Sequence, residues 1–132
     1  MKYYVEEKNY RLFVDGIEMK ETYSLYIKKL AEGYLKELPS LRRLTKKIFL
    51  IERNIPLYLS HNLLLIQIKE NKNRRTLLIN YQKILKYTIH KEKTLIWFDN
   101  GSSLTLDISS YRSEKIMRNA EKISDYFRMI DY

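Results

Sequence analysis

The 132-residue chain contains no cysteine, which excludes a disulfide scaffold, a cysteine-based zinc site and thiol catalysis. Glycine and proline are scarce, at 3 and 2 residues, so no flexible linker can be drawn and no low-complexity tract stands out. Ala, Gly and Pro together supply 7 residues, whereas Ile, Lys, Asn and Tyr supply 51; the latter have A/T-rich codons, as expected of an A/T-rich bacterial genome. No apolar run approaches the ~20 residues that span a bilayer. The longest, Leu63-Leu64-Leu65-Ile66, is strand length. The start turns acidic at Glu6 and Glu7, so no signal peptide is expected. A Gly-rich phosphate loop, a nucleophile elbow and a metalloprotease helix motif are all missing. His61 and His90 are the only histidines, and neither has a second ligand at metal spacing. Asp99 and Asp107 are expected well apart and exposed, a poor acid–base pair. These absences predict a cytoplasmic, single-domain protein over 1–132 without catalytic residues, metal, cofactor or membrane partner.

What is present is a core and a charge imbalance. Hydrophobic residues make up 45% of the chain, enough for one packed core, and 25 Lys+Arg face 16 Asp+Glu for a net charge of +9. The excess is segregated: residues 42–93 carry 13 basic and 3 acidic side chains, and the flanks are near neutral. Such segregation points to a polyanion partner, against the plainer reading of a solvated basic face. Two constellations stand out: Arg42, Arg43, Lys46 and Lys47, expected between a helix and a strand; and Lys69, Lys72, Arg74 and Arg75 around a polar hairpin tip, followed by Lys83 and Lys86. Long cations on a tip can reach phosphates without distorting a core, although they also serve to keep a sheet edge unpaired.

The local patterns predict an α+β chain. Strand formers at 3–5 and 10–14 lead into an Asp15-Gly16 turn. Thr22 then caps a helix at about 22–38, with an apolar face from Tyr23 to Leu38 and Pro39 as its end. Strands are expected at 48–51, 57–59, 63–68 and 77–81, with 84–89 open between strand and helix. Asn100-Gly101 predicts a two-residue type I′ hairpin. It would pair Trp97 with Leu104 and Leu95 with Leu106 on one face, leaving Ile96 and Phe98 on the other. Ser110 is expected to cap a final helix at about 110–130, whose Ile116, Ala120, Ile123, Phe127 and Ile130 form an amphipathic stripe. The expected architecture is an antiparallel sheet or a partly closed barrel, pleckstrin-homology-like in outline, covered by that helix. The stripe can pack on the sheet, yet Tyr126, Met129, Ile130 and Tyr132 extend apolar surface past one sheet contact. A homodimer or higher even oligomer using that end is therefore predicted.

The run from Phe98 through Asn100-Gly101 to Ser109 resembles the C-terminal half of the ComK competence transcription factors of low-G+C Gram-positive bacteria. Ile55-Pro56-Leu57-Tyr58-Leu59-Ser60 is similar to the family's Pro-Pro-apolar stretch, Arg42-Arg43 to its Gly-Arg-Lys segment, and Val14-Asp15-Gly16 to its opening hairpin. The family's cysteine, and the Trp-Ile pair that opens a later strand, are not matched. The resemblance implies a cytoplasmic transcription activator of DNA-uptake genes that recognises paired A/T-rich boxes, largely through the minor groove, as a dimer or pair of dimers. It also implies a proteolysis adaptor as partner. Members carry an extension beyond the final helix, so different regulation is expected of this shorter chain. The alternative from another class is a pleckstrin-homology-like module that binds a protein or membrane surface without DNA.

Overall fold

The computed structural model describes residues 1–130. Nine strands and three helices follow one another as β1 (Tyr4–Lys8), β2 (Arg11–Val14), β3 (Ile17–Met19), α1 (Tyr23–Gly33), α2 (Leu38–Phe49), β4 (Leu57–Ser60), β5 (Leu63–Glu70), β6 (Arg75–Asn80), β7 (Ile84–His90), β8 (Lys93–Phe98), β9 (Ser103–Leu106) and α3 (Ser110–Ile130). A 3₁₀ turn, Tyr81–Lys83, precedes β7. The strands form a six-stranded sheet ordered β3-β2-β1-β6-β5-β4 and a separate three-stranded sheet ordered β7-β8-β9, both antiparallel. The α+β class is as expected from the sequence, in its open-sheet form. The sheets do not close into a barrel.

Alternation along the long strands divides the core in two. Leu64, Ile66 and Ile68 of β5 point to one face, where they meet Ile96, Phe98, Leu104 and Leu106 of the small sheet and Ile116, Ala120 and Ile123 of α3. Leu63 and Leu65 point to the other face, with Val5, Leu12 and Leu78, beneath Ile27 and Ala31 of α1. The larger sheet is thus covered on both faces, which accounts for its near-continuous hydrophobic central strands.

Several local expectations hold. Asp15 and Gly16 both have positive φ (49° and 87°) and turn β2 into β3, the backbone of a type I′ hairpin. The Asp15 carboxylate also accepts from the backbone N–H groups of Lys2, Tyr3 and Tyr4 at 2.7–2.9 Å. The Thr22 hydroxyl accepts from Leu25 N–H at 3.2 Å and caps α1. Residues 84–89, open between helix and strand, lie in β7.

Other expectations are corrected. The single helix at 22–38 is two: Leu35, left-handed at φ 60°, closes α1 as Leu35 N–H donates to Glu32 O and Lys36 N–H to Ala31 O, a Schellman arrangement. Pro39 does not end a helix but stands in the first turn of α2, where a missing N–H costs no helical bond. The strand expected at 48–51 is absent, because Ile48 and Phe49 finish α2 and Leu50 is left-handed at φ 55°. Ser109 rather than Ser110 caps α3, its Oγ accepting from Arg112 N–H at 3.3 Å; the Ser110 hydroxyl donates to Lys91 O.

The hairpin register is shifted by one residue. Ile96 pairs with Leu104, Trp97 with Ser103 and Leu95 with Thr105. Phe98 N–H donates to Ser102 O, Gly101 N–H to Phe98 O, and only Gly101 of the pair has positive φ. This is a three-residue loop, a type I turn followed by a left-handed glycine. Burial explains the choice: the two-residue register would send Ile96 and Phe98 to the face opposite Leu104 and Leu106. The observed one gathers all four into the core, since a one-residue slip flips every side chain.

Candidate nucleic-acid interface

Helix α2 runs around the β4 edge of the larger sheet. Leu38 and Leu41, near its start, pack on the α1 side, and Phe49, at its end, packs into the core on the other side. The amino group of Lys36 donates to Tyr58 O and Leu59 O at 3.0 and 3.2 Å, further covering that edge. Arg42, Arg43, Lys46 and Lys47 therefore lie on an exposed helical surface and not in a connecting loop. They form two i,i+4 pairs on adjacent strips, Arg42 with Lys46 and Arg43 with Lys47. Lys46 is 3.7 Å from Glu52. Among the described residues, Arg42, Arg43 and Lys47 have no ion-pair or hydrogen-bond partner on their side chains.

The second constellation divides. Lys72 and Arg74 are exposed in the β5–β6 hairpin loop, with Arg74 left-handed at φ 49°; neither side chain has an ion-pair partner among the described residues. Arg75, expected beside them, lies underneath the tip instead. Its guanidinium donates to both carboxylate oxygens of Glu70 at 2.6 and 2.8 Å, to Glu6 at 2.9 Å and to Thr105 O at 3.0 Å. Glu70 is 1% exposed and also accepts from Asp107 N–H at 2.6 Å. Burial by itself would push the Glu70 carboxyl up. Arg75, the Asp107 N–H and the Asn73 amide outweigh it and hold the group below the usual carboxylate range. Its hydrogen bonds to Glu70, and next that to Glu6, raise the Arg75 pKa further. This cluster joins β1, the β5–β6 hairpin and the end of β9, and its donors are engaged within the protein.

Lys83 and Lys86 are not brought to either constellation. Both belong to the region of β7 at the edge of the small sheet. Lys83 lies 3.8 Å from Asp99, and the Lys86 ammonium sits 4.7 Å from the Trp97 ring centroid, a cation–π contact.

Lys69, expected with the hairpin tip, is exposed and shares the α1-side face of β5 with Leu65 and Gln67, as alternation from Leu63 indicates. One cation belongs with the interface that sequence reading passed over: Arg53 follows α2 and lines, with Arg42, a cleft over the same sheet face, a proximity with no signature in sequence spacing.

Tyr126 packs edge-on against Phe49 at 5.1 Å, which brings the ends of α2 and α3 together. Met129 and Ile130 are 79% and 55% exposed there, beside an α2 end that exposes Ile48 and Leu50 at 56% and 83%. Tyr132 lies outside the described residues. No described helix is long and apolar enough to cross a membrane. No group of three metal-ligating side chains lies close enough to hold an ion among the described residues.

Neither the curated proteins nor the solved structures contain a match to this chain. A profile of the family described as ComK protein matches residues 7–130, nearly the whole chain: the chain belongs to the ComK family of competence transcription factors.

Proposed function

We propose that this ComK family member binds A/T-rich duplex DNA, largely through the minor groove, and activates DNA-uptake genes in the cytoplasm. The observation that carries the reading is the set of unneutralised cations on α2 and the β5–β6 tip: Arg42, Arg43, Lys47, Lys72 and Arg74. Protein cations that neutralise phosphates release condensed counterions, so the set supplies affinity. Narrow A/T-rich minor grooves concentrate negative potential and favour inserted Arg. Lys46 and Lys69 flank the set. Arg75 is left out because its guanidinium holds Glu70 and Glu6, and Lys83 and Lys86 because they lie in the turn before β7 and on β7 itself, at the edge of the other sheet.

The proposed assembly is a homodimer through the apolar surface shared by the ends of α2 and α3, with Tyr126, Met129 and Ile130 contributing. Exposed apolar side chains from two elements meet there, as interaction surfaces require. Two-fold symmetry would match paired A/T boxes.

The test is a mobility-shift series. The chain should retard A/T-rich duplexes more strongly than G/C-rich duplexes of equal length, and a minor-groove-blocking ligand should compete. Equal retardation of both, unaffected by the blocker, would overturn the minor-groove reading.

A further inference from the structure

Between α2, the loop that follows it and the α1-side face of the larger sheet lies a cleft of about 210 Å³. At about 30 Å³ per water, that is room for a phosphoryl group and the first atoms of its ester. Its floor is apolar: Leu57 and Leu78 of β4 and β6 are 3% and 1% exposed. Two arginines from different elements line it, Arg42 from α2 and Arg53 from the loop. Neither has an ion-pair partner among the described residues.

The remaining polar lining favours an anion. Gln67 accepts from the Tyr23 hydroxyl through Oε1 at 3.1 Å, which fixes its amide orientation and leaves its N–H₂ as a donor. Asn54, left-handed at φ 51°, brings a second carboxamide to the wall. One carboxylate, Glu52, also lines the mouth; it is 3.7 Å from Lys46 and its side chain is 80% exposed, so its charge is paired and screened. Guanidinium forks match the oxygen geometry of phosphate, and an apolar floor strengthens their attraction relative to open solvent.

We infer that this cleft is a phosphoryl-binding site, with Arg42 and Arg53 supplying the charge and Gln67 and Asn54 the further donors. The phosphoryl group comes either from the DNA backbone or from a soluble phosphate ester. The inference shares Arg42 with the duplex-binding reading but rests on a concave site and on Arg53, not on the exposed tip.

The experiment uses the full chain labelled with ¹⁵N-arginine and titrated with inorganic phosphate at constant ionic strength, with chloride as the control salt. The side-chain Nε–H signals of Arg42 and Arg53 should move saturably with phosphate and not with chloride. Arg53→Gln should weaken that binding by about tenfold, the loss expected for one charge-assisted hydrogen bond. Arg74→Gln, on the tip, should leave it unchanged, and unaltered backbone amide spectra would show that both variants fold. Non-saturable shifts, or equal weakening by Arg74→Gln, would overturn the site. Displacement of phosphate from the two arginines by a short A/T duplex identifies the backbone as the source. Phosphate still bound beside a retarded duplex identifies a soluble ester. A chain that retards no duplex yet binds phosphate saturably would sink the DNA reading and leave the cleft assignment standing.

Discussion

Glu70 and Arg75 face each other directly across β5 and β6, and the guanidinium grips the buried carboxylate through two bonds of 2.6 and 2.8 Å. A neighbouring arginine one residue away, Arg74, is exposed. The adjacent residues therefore have opposite roles, one closing the space between the two sheets and one open to a ligand.

Arg75→Ala should cost about 3 kcal/mol of folding stability, because it strands a buried carboxylate without its partner. Arg74→Ala should stay within about 0.5 kcal/mol while weakening DNA binding. Urea unfolding of the two variants, read beside a mobility shift, separates the roles; equal stability losses would refute the distinction.

The Glu70 cluster also sets a pH dependence. The folded carboxyl is held below its unfolded value of about 4.3, so its contribution to stability is complete above that pH and is lost as pH falls through the lower folded value. Asp107, held low by Lys93 and Asn73, changes in the same direction. The stability gap between the wild type and Glu70→Gln should be widest near neutral pH and shrink below about pH 4. A gap that stays constant into acid would show that Glu70 is not held low.

Two glycine substitutions should have opposite signs. Gly101 has φ 88° with open space where a Cβ would stand, so Gly101→Ala meets only the left-handed penalty, about 1 kcal/mol destabilising. Gly33 lies at the end of α1 without positive φ and with equally open space. Gly33→Ala should stabilise by about 0.5 kcal/mol. Thermal melts of both decide it, and destabilisation by Gly33→Ala would count against the assigned end of α1.

Removing Arg42, Arg43 and Lys47 together should flatten the salt dependence of duplex binding by about 0.9 in log–log slope for each phosphate no longer neutralised. Lys86→Ala, which frees only the Trp97 ring, should leave the slope as in the wild type. An unchanged slope in the triple variant would move the DNA surface off α2.

In light scattering the wild type should give about twice the 16.1 kDa chain mass. Ile48→Asp and Met129→Asp, both at exposed positions, should return it to one chain with little change in stability. A wild-type monomer at micromolar concentration would remove the dimer and leave DNA binding untouched.

Much of this molecule is legible residue by residue. The Asp15-Gly16 turn, the Thr22 cap, the α3 stripe and the segregated charge of residues 42–93 follow from the sequence itself. Each depends on neighbours within a few positions, and local sterics, hydrogen bonding and periodicity act at that range. The tertiary structure decided the rest. Asn100-Gly101 alone favours a tighter turn, but four apolar side chains had to share one buried face, and that requirement set the register. Leu35 and Pro39 divide one expected helix into two because α2 must pass around the β4 edge. Arg74 and Arg75 look alike in sequence; only the approach of β1 and β9 takes one out of water and leaves the other in it. Arg42 and Arg53 meet over Leu78 for the same reason: desolvation and convergence act between residues distant in the chain, and folding alone brings those together.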